Sequence, residues 1–178
     1  TRDGAIICIH DNDLKRVSPA TPAPWNAVPL EELTLERVKT FDVGAFRGRP
    51  GQRVPTLDEV FRDMQGRPER MLELDYKQIG LGELAALMKR YGVKDQVIFV
   101  TRYHHLIRRW QQIAPHSATM LWMGGSEHAL GRMLEQLRRD DFAGISILQL
   151  ILFKDATADG VRPPLSFLKR CQAEVGER

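Results

Sequence analysis

Short apolar runs and amphipathic stretches alternate along this chain. Strand-like runs occupy residues 71–76, 96–101, 118–123 and 145–152, and an earlier apolar run begins at Ala5. Amphipathic stretches at residues 82–91, 105–113 and 127–138 predict helices between them. Near-continuous apolar strands that alternate with helices predict a parallel sheet buried on both faces. This repeat suits either a (β/α)8 barrel or a doubly wound open sheet, and periodicity does not separate the two.

Two further segments carry clear local signals. Residues 18–29 contain four prolines and predict a loop, because proline neither propagates a helix nor fits the interior of a sheet. Apolar residues at 57, 60, 61 and 64 predict a helix, for which Thr56 is the N-cap and Glu59 completes a capping box. A last helix is predicted at residues 164–175.

The composition is that of a globular protein. The 178 residues predict a single domain over residues 1–178, and 43% of them are hydrophobic and 28% charged. No apolar stretch reaches the roughly 18 residues of a membrane span. A net charge of +3, with arginines set beside acids in helical stretches, predicts no nucleic-acid partner. The oligomeric state and the cellular compartment stay open.

Candidate chemistry is concentrated in two places. Glu73, Asp75 and Lys77 alternate with apolar residues and are predicted to project from one face of a strand. His10 is followed by Asp11 where the run from Ala5 is predicted to end as a strand. Two acids, a lysine and a histidine suggest a metal and phosphate site. Two other interpretations are the charged outer face of an edge strand and a hydrogen-bonded turn.

Five segments together carry a family resemblance. They are Thr1-x-Asp3-Gly4, the pair His10-Asp11, residues 41–46 (FDVGAF), residues 53–60 (RVPTLDEV), and residues 74–77 (LDYK). In order and approximate spacing they resemble the glycerophosphodiester phosphodiesterases. The resemblance is sharp over residues 1–77 and softer to about residue 152, where it rests on the rhythm of strands and helices.

For the fold, the resemblance implies an α/β protein of the TIM type. The family's fold is a (β/α)8 barrel, and the chain lacks the glycine-rich fingerprint of a dinucleotide-binding sheet. About five strands are expected here, beginning at Ala5. The family's first strand, with its His-Arg-Gly motif, would lie before Thr1, and its last strands are unaccounted for after Asp155. We therefore expect a partial barrel, incomplete at both ends.

For the chemistry, the resemblance implies a divalent cation, Mg²⁺ or Ca²⁺, and a histidine pair acting as general acid and base. His10 matches the family's second catalytic histidine, Asp75 the metal-binding acid, and Lys77 the lysine near the phosphate. The family usually has Glu at the position of Asp75, which is one methylene shorter. Glu73 replaces a commonly neutral residue and is expected to compensate as a metal ligand. A hard cation and a lysine would stabilise the charge of the phosphoryl oxygens.

The predicted function is metal-dependent hydrolysis of a glycerophosphodiester to glycerol 3-phosphate and an alcohol. The family's Glu-x-Asp pair and its other histidine would precede this chain, so we expect the chain alone to be inactive or nearly so. One alternative is a noncatalytic barrel module that keeps the phosphate-recognising lysine. Another is a phosphodiesterase for a different lipid-derived diester, in which Trp25 and Phe46 shape specificity.

Overall fold

A computed structural model describes residues 1–155 and 160–176. The described residues fall into two compact units, of which one comprises Thr1–Pro68 with Arg90–Val93 and the other comprises Glu69–Lys89 with the described residues from Lys94 onward. That the whole chain is a single domain stays a prediction. The regular elements are α1 (Leu35–Thr40), α2 (Leu57–Met64), β1 (Leu72–Asp75), α3 (Leu81–Tyr91), β2 (Val97–Thr101), α4 (His104–Ile113), β3 (Thr119–Met123), α5 (Glu127–Arg139), β4 (Ile147–Leu150), β5 (Phe153–Lys154), β6 (Val161–Arg162) and α6 (Leu165–Gly176).

The first unit is held together by a small apolar core beneath its loops. The proline-rich segment at residues 18–29 contains neither helix nor strand, as predicted. Short 3-10 turns occur at Leu30–Glu32 and Ala45–Arg47. Six buried side chains form the core, namely Leu14, Leu30, Leu33, Val38, Phe41 and Val54.

The apolar run that begins at Ala5 is not a strand of the barrel, so the prediction of a first strand ending at His10 was wrong. Ile7 makes one isolated antiparallel bridge to Thr56. Ile7 and Ile9 pack against the core of the first unit. The run is apolar because it covers this core, and a short segment with one bridge partner gives no ladder on which a strand could extend.

Helix α2 begins as predicted. The Thr56 side chain accepts a hydrogen bond from the backbone N–H of Glu59 at 3.1 Å. The Glu59 carboxylate accepts one from the backbone N–H of Thr56 at 2.8 Å. This reciprocal capping box satisfies two backbone donors at the start of the helix. Phe61 is fully buried on the inner face of α2.

The second unit contains a parallel sheet whose strands lie in the order β1-β2-β3-β4. The predicted strands and helices of this region all occur, with ends shifted by at most two residues. Strands that are neighbours in sequence are also neighbours in the sheet. A doubly wound sheet reverses its order at a switch point, whereas a barrel adds strands in sequence. Among the described residues, the sheet therefore has the strand order of a barrel.

Burial differs between the central and the outer strands of this sheet. Leu121 and Met123 of β3 pack against α5 and α6 in a core with Leu130, Leu134, Leu137, Ile107, Phe167 and Cys171. The central strands β2 and β3 are largely buried on both faces, as expected. The outer strands β1 and β4 instead alternate between half-buried and exposed residues. Since successive side chains of a strand point to opposite faces, one face of each outer strand is more exposed than the other.

Two smaller features complete the second unit. β5 and β6 pair antiparallel and were not predicted, because two-residue strands carry no periodic signal. Phe99 of β2 stacks on Trp110 of α4 with ring centroids 4.9 Å apart.

Over residues 1–155 and 160–176, none of the helices combines the length and apolarity needed to cross a membrane.

Truncating Leu121 to alanine should destabilise the protein strongly. Leu121 is 2% exposed in the centre of the sheet, and deleting a buried leucine costs about 2 to 5 kcal/mol of unfolding free energy. Leu152→Ala is the matched control, because Leu152 is 43% exposed and its loss should cost less than about 0.5 kcal/mol. Urea unfolding followed by circular dichroism measures both. Equal effects of the two substitutions would contradict the assignment of the core.

Candidate functional site

The acidic strand β1 presents charged side chains on one face. Glu73 and Asp75 are exposed, whereas Leu72 and Leu74, which alternate with them, are half-buried. Lys77 follows in the same alternation, and its Nζ lies 2.6 Å from Oδ2 of Asp75. The prediction that Glu73, Asp75 and Lys77 share a face is therefore confirmed. In a parallel β/α sheet this end of the strand is where functional groups collect.

The carboxylates of Glu73 and Asp75 differ in their surroundings. Asp75 is paired with Lys77, with 42% and 47% of the two side chains exposed. Glu73 has no ion-pair partner within the part of the chain that the structure describes. A carboxylate without a cationic partner is available to an added cation. To bind an added cation, Asp75 would first have to break or share its ion pair with Lys77.

The donor set of β1 suits one type of metal site. Carboxylate oxygens are hard ligands, and Mg²⁺ is often held by one or two carboxylates together with water and substrate phosphates. Glu73 and Asp75 fit that pattern. In the described residues no group of three His, Cys, Asp or Glu side chains is placed to hold a metal ion. A cation bound here would complete its coordination with oxygens from outside this set.

His10 lies in the first unit and is oriented by its neighbours in the chain. Its Nδ1 is 2.7 Å from Oδ1 of Asp11. Arg16 donates to the same carboxylate twice, from Nε to Oδ2 at 2.6 Å and from a terminal nitrogen to Oδ1 at 3.0 Å. The His10 side chain is 76% exposed and that of Asp11 19%. The histidine is thus accessible, while its carboxylate partner is enclosed.

The charge of Asp11 is fixed by these contacts. The hydrogen bond from Arg16, followed by that from His10, lowers the pKa of Asp11 from its usual 3.8 to about 2. Asp11 is therefore ionised at neutral pH and accepts hydrogen bonds without donating. No role for Arg16 was predicted from the sequence, because a contact across a loop leaves no periodic signal.

The segment around Asp42, which carries part of the family resemblance, has a structural role in this unit. Asp42 accepts hydrogen bonds from the backbone N–H groups of Gly44, Ala45 and Gly51 at 2.9, 3.0 and 2.6 Å. These bonds, that from Gly51 most, lower the pKa of Asp42. A Cβ at Gly44 would lie 2.1 Å from the carbonyl oxygen of Arg49, so the loop requires glycine there.

Solved structures of low sequence identity share the fold of this chain. A phosphodiesterase from Oleispira antarctica, solved with the product sn-glycerol-3-phosphate, is 18% identical with a TM-score of 0.60, over 98% of this chain and 74% of that chain. A glycerophosphodiester phosphodiesterase from Agrobacterium tumefaciens is 17% identical with a TM-score of 0.56, over 84% and 79% of the two chains. A glycerophosphoryl diester phosphodiesterase from Parabacteroides distasonis is 16% identical with a TM-score of 0.57, over 98% and 73%.

These likenesses establish the fold class. They confirm a partial TIM-type (β/α)8 barrel. The described residues contribute four parallel strands to it, in place of the expected five, because the segment from Ala5 is not a strand.

The amino-acid sequence itself shows the family. No curated protein matches the chain. The model of the glycerophosphoryl diester phosphodiesterase family matches residues 1–146. Since this match extends over most of its length, the chain belongs to the glycerophosphoryl diester phosphodiesterase family, a class of enzymes that hydrolyse glycerophosphodiesters.

Proposed function

We propose that this protein hydrolyses glycerophosphodiesters to glycerol 3-phosphate and an alcohol with the help of a divalent cation. The observation that carries the proposal is the charged face of β1, where Glu73, Asp75 and Lys77 project together in a chain of this family. The family generally depends on a divalent cation. The sn-glycerol-3-phosphate bound to the Oleispira antarctica phosphodiesterase supports a substrate of this kind.

Glu73 and Asp75 would hold the cation, and Lys77 would bind the phosphate. A bound divalent cation supplies positive charge that stabilises the phosphoryl oxygens. Lys77 carries a flexible ammonium, 47% exposed, that donates up to three hydrogen bonds. If Asp75 ligated the cation, Lys77 would lose its partner and would be available to donate to a phosphate oxygen. Asp75 would thus bind the cation, and its present partner Lys77 would bind the phosphate.

His10 would protonate the leaving alkoxide. Because Asp11 is ionised and only accepts, the proton of the neutral imidazole lies on Nδ1. In the imidazolium form Nε2 would carry the second proton, which it would give to the leaving alkoxide to return the ring to the neutral Nδ1–H form, and the exposure of the ring allows this. Arg16 orients the Asp11 carboxylate, and Asp11 in turn orients the His10 ring. Arg16 would therefore be a positioning residue.

We further propose that the 178-residue chain alone turns over little substrate. The described residues offer two carboxylates on one face and no group of three ligands, so the cation would be held weakly. The same observation favours a second candidate, a noncatalytic module that binds phosphate through Lys77. The two candidates differ in whether a slow, metal-dependent release of product occurs.

Binding of Mg²⁺ or Ca²⁺ should depend on Asp75. We expect calorimetry to detect binding by the parent chain, and Asp75→Ala to weaken it roughly tenfold or more, equal to about 1.4 kcal/mol. Asp95→Ala is the control, because Asp95 is a 74% exposed aspartate in a loop, near Lys94. Equal weakening by both substitutions would contradict a site on β1. No binding by the parent chain would show that Glu73 and Asp75 do not hold the cation without further ligands.

Release of product should be slow and should require His10. With glycerophosphocholine and MgCl₂, we expect a coupled assay for glycerol 3-phosphate to show little release by the parent chain and none by His10→Ala. Rapid release would refute the proposal of low activity while supporting the hydrolase. Release that persists in His10→Ala would contradict the role of His10. Phosphate binding without any release would favour the noncatalytic module.

The ionisation of Asp11 should depend on Arg16. In Arg16→Gln the largest cause of the lowered pKa is lost, so the pKa of Asp11 should rise from about 2 toward 3.8. Carboxyl ¹³C NMR titration measures this. A lowered folded pKa means that Asp11 stabilises the fold above about pH 3.8 and that this contribution is lost as the pH falls toward 2. Lys15→Gln is the control, because Lys15 pairs with Asp13. An unchanged titration in Arg16→Gln would refute the positioning role.

A further inference from the structure

Arg102 follows the last residue of β2 and falls on the face of the sheet that carries the acids. In the register of the sheet, Asp75 lies beside Val100, and Val100 lies beside Met120. Alternate residues share a face, so Arg102 is on the side of Val100, two positions nearer the carboxyl edge. The same alternation places Lys77 on this face at the end of β1. The two cations therefore share the carboxyl edge of adjacent strands.

Two aromatic rings hold the Arg102 guanidinium. Its Cζ lies 5.3 Å from the ring centroid of Trp122 on β3 and 5.5 Å from that of Tyr103. Guanidinium groups stack on aromatic faces and keep their N–H groups free at the rim. The side chain of Arg102 is exposed. It is thus oriented without using the hydrogen bonds with which it would bind an anion.

The two cations at this edge differ in whether a carboxylate neutralises them. Lys77 is 2.6 Å from a carboxylate oxygen of Asp75. Arg102 has no carboxylate partner within the described ranges of the chain. Arg102 is therefore the uncompensated cation of this edge. Its planar group suits bidentate contact with phosphate better than a lysine does.

We propose that Arg102 binds the phosphate of the substrate and makes the site favour uncharged or anionic head groups over cationic ones. This deepens the proposed function and rests on it. The guanidinium repels a quaternary ammonium, and it also covers aromatic surface of Trp122 and Tyr103 that would otherwise attract such a group. A polyol head group meets neither obstacle.

The test is calorimetric titration of the chain in MgCl₂ with sn-glycerol 3-phosphate, glycerophosphoinositol and glycerophosphocholine. We expect the parent chain to bind glycerophosphoinositol more tightly than glycerophosphocholine. Arg102→Gln should weaken glycerol 3-phosphate binding roughly tenfold and abolish the preference between the diesters. Arg102→Lys should retain part of the affinity for phosphate. Arg109→Gln, an exposed arginine of α4, should change nothing.

The outcomes separate this inference from the proposed function. An unchanged affinity for glycerol 3-phosphate in Arg102→Gln, or no binding by the parent chain, would overturn it. So would an equal preference for the two diesters in the parent chain. Arg102-dependent binding without any hydrolysis would favour the noncatalytic module and leave the binding role of Arg102 standing. Metal-dependent hydrolysis that does not depend on Arg102 would support the enzyme and refute the binding role of Arg102. Circular dichroism of each variant shows that it is folded.

Discussion

The register of β1 against β2 determines which side chains of β1 lie on the charged face. Leu72 donates its backbone N–H to Gln96 and Tyr76 donates to Val100, both at 2.8 Å, and these bonds bracket the strand. A slip of one residue would exchange the faces of β1. Leu72 and Leu74 would then replace Glu73 and Asp75 on the charged face. The cost of exposing the leucines and burying two carboxylates keeps the strand in this register.

A different constraint places His10. Its position depends on the side chains just before it, since Ile7 and Ile9 pack against the apolar core of the first unit. The chain then turns outward, and Asp11 fixes the ring through Nδ1. His10, the proposed general acid, is therefore carried by a loop anchored in its own core, whereas the acids and cations of the charged face lie at strand ends. Loops anchored in this way often bear catalytic groups.

The sequence predicted those elements whose pattern repeats. β1 to β4 and helices α2 to α6 were found because their apolar positions recur with the period of a strand or a helix. The prediction of a strand from Ala5 was wrong because residues that pack against the core of the first unit produce the same apolar run as a buried strand. Which face of β1 carries the acids could be predicted, because alternation is local. The pairing of Asp75 with Lys77 and the stacking of Arg102 on Trp122 could not be predicted, because side-chain partners depend on tertiary contacts.

The balance of charge on this face explains why two ligands of opposite sign would suit it. Asp75 and Lys77 neutralise each other, which leaves Glu73 and Arg102 without partners among the described residues. A cation alone would satisfy Glu73 and add to the positive charge around Arg102. A phosphodiester alone would satisfy Arg102 and be repelled by Glu73. A divalent cation together with a phosphodiester satisfies both, so each should strengthen the binding of the other.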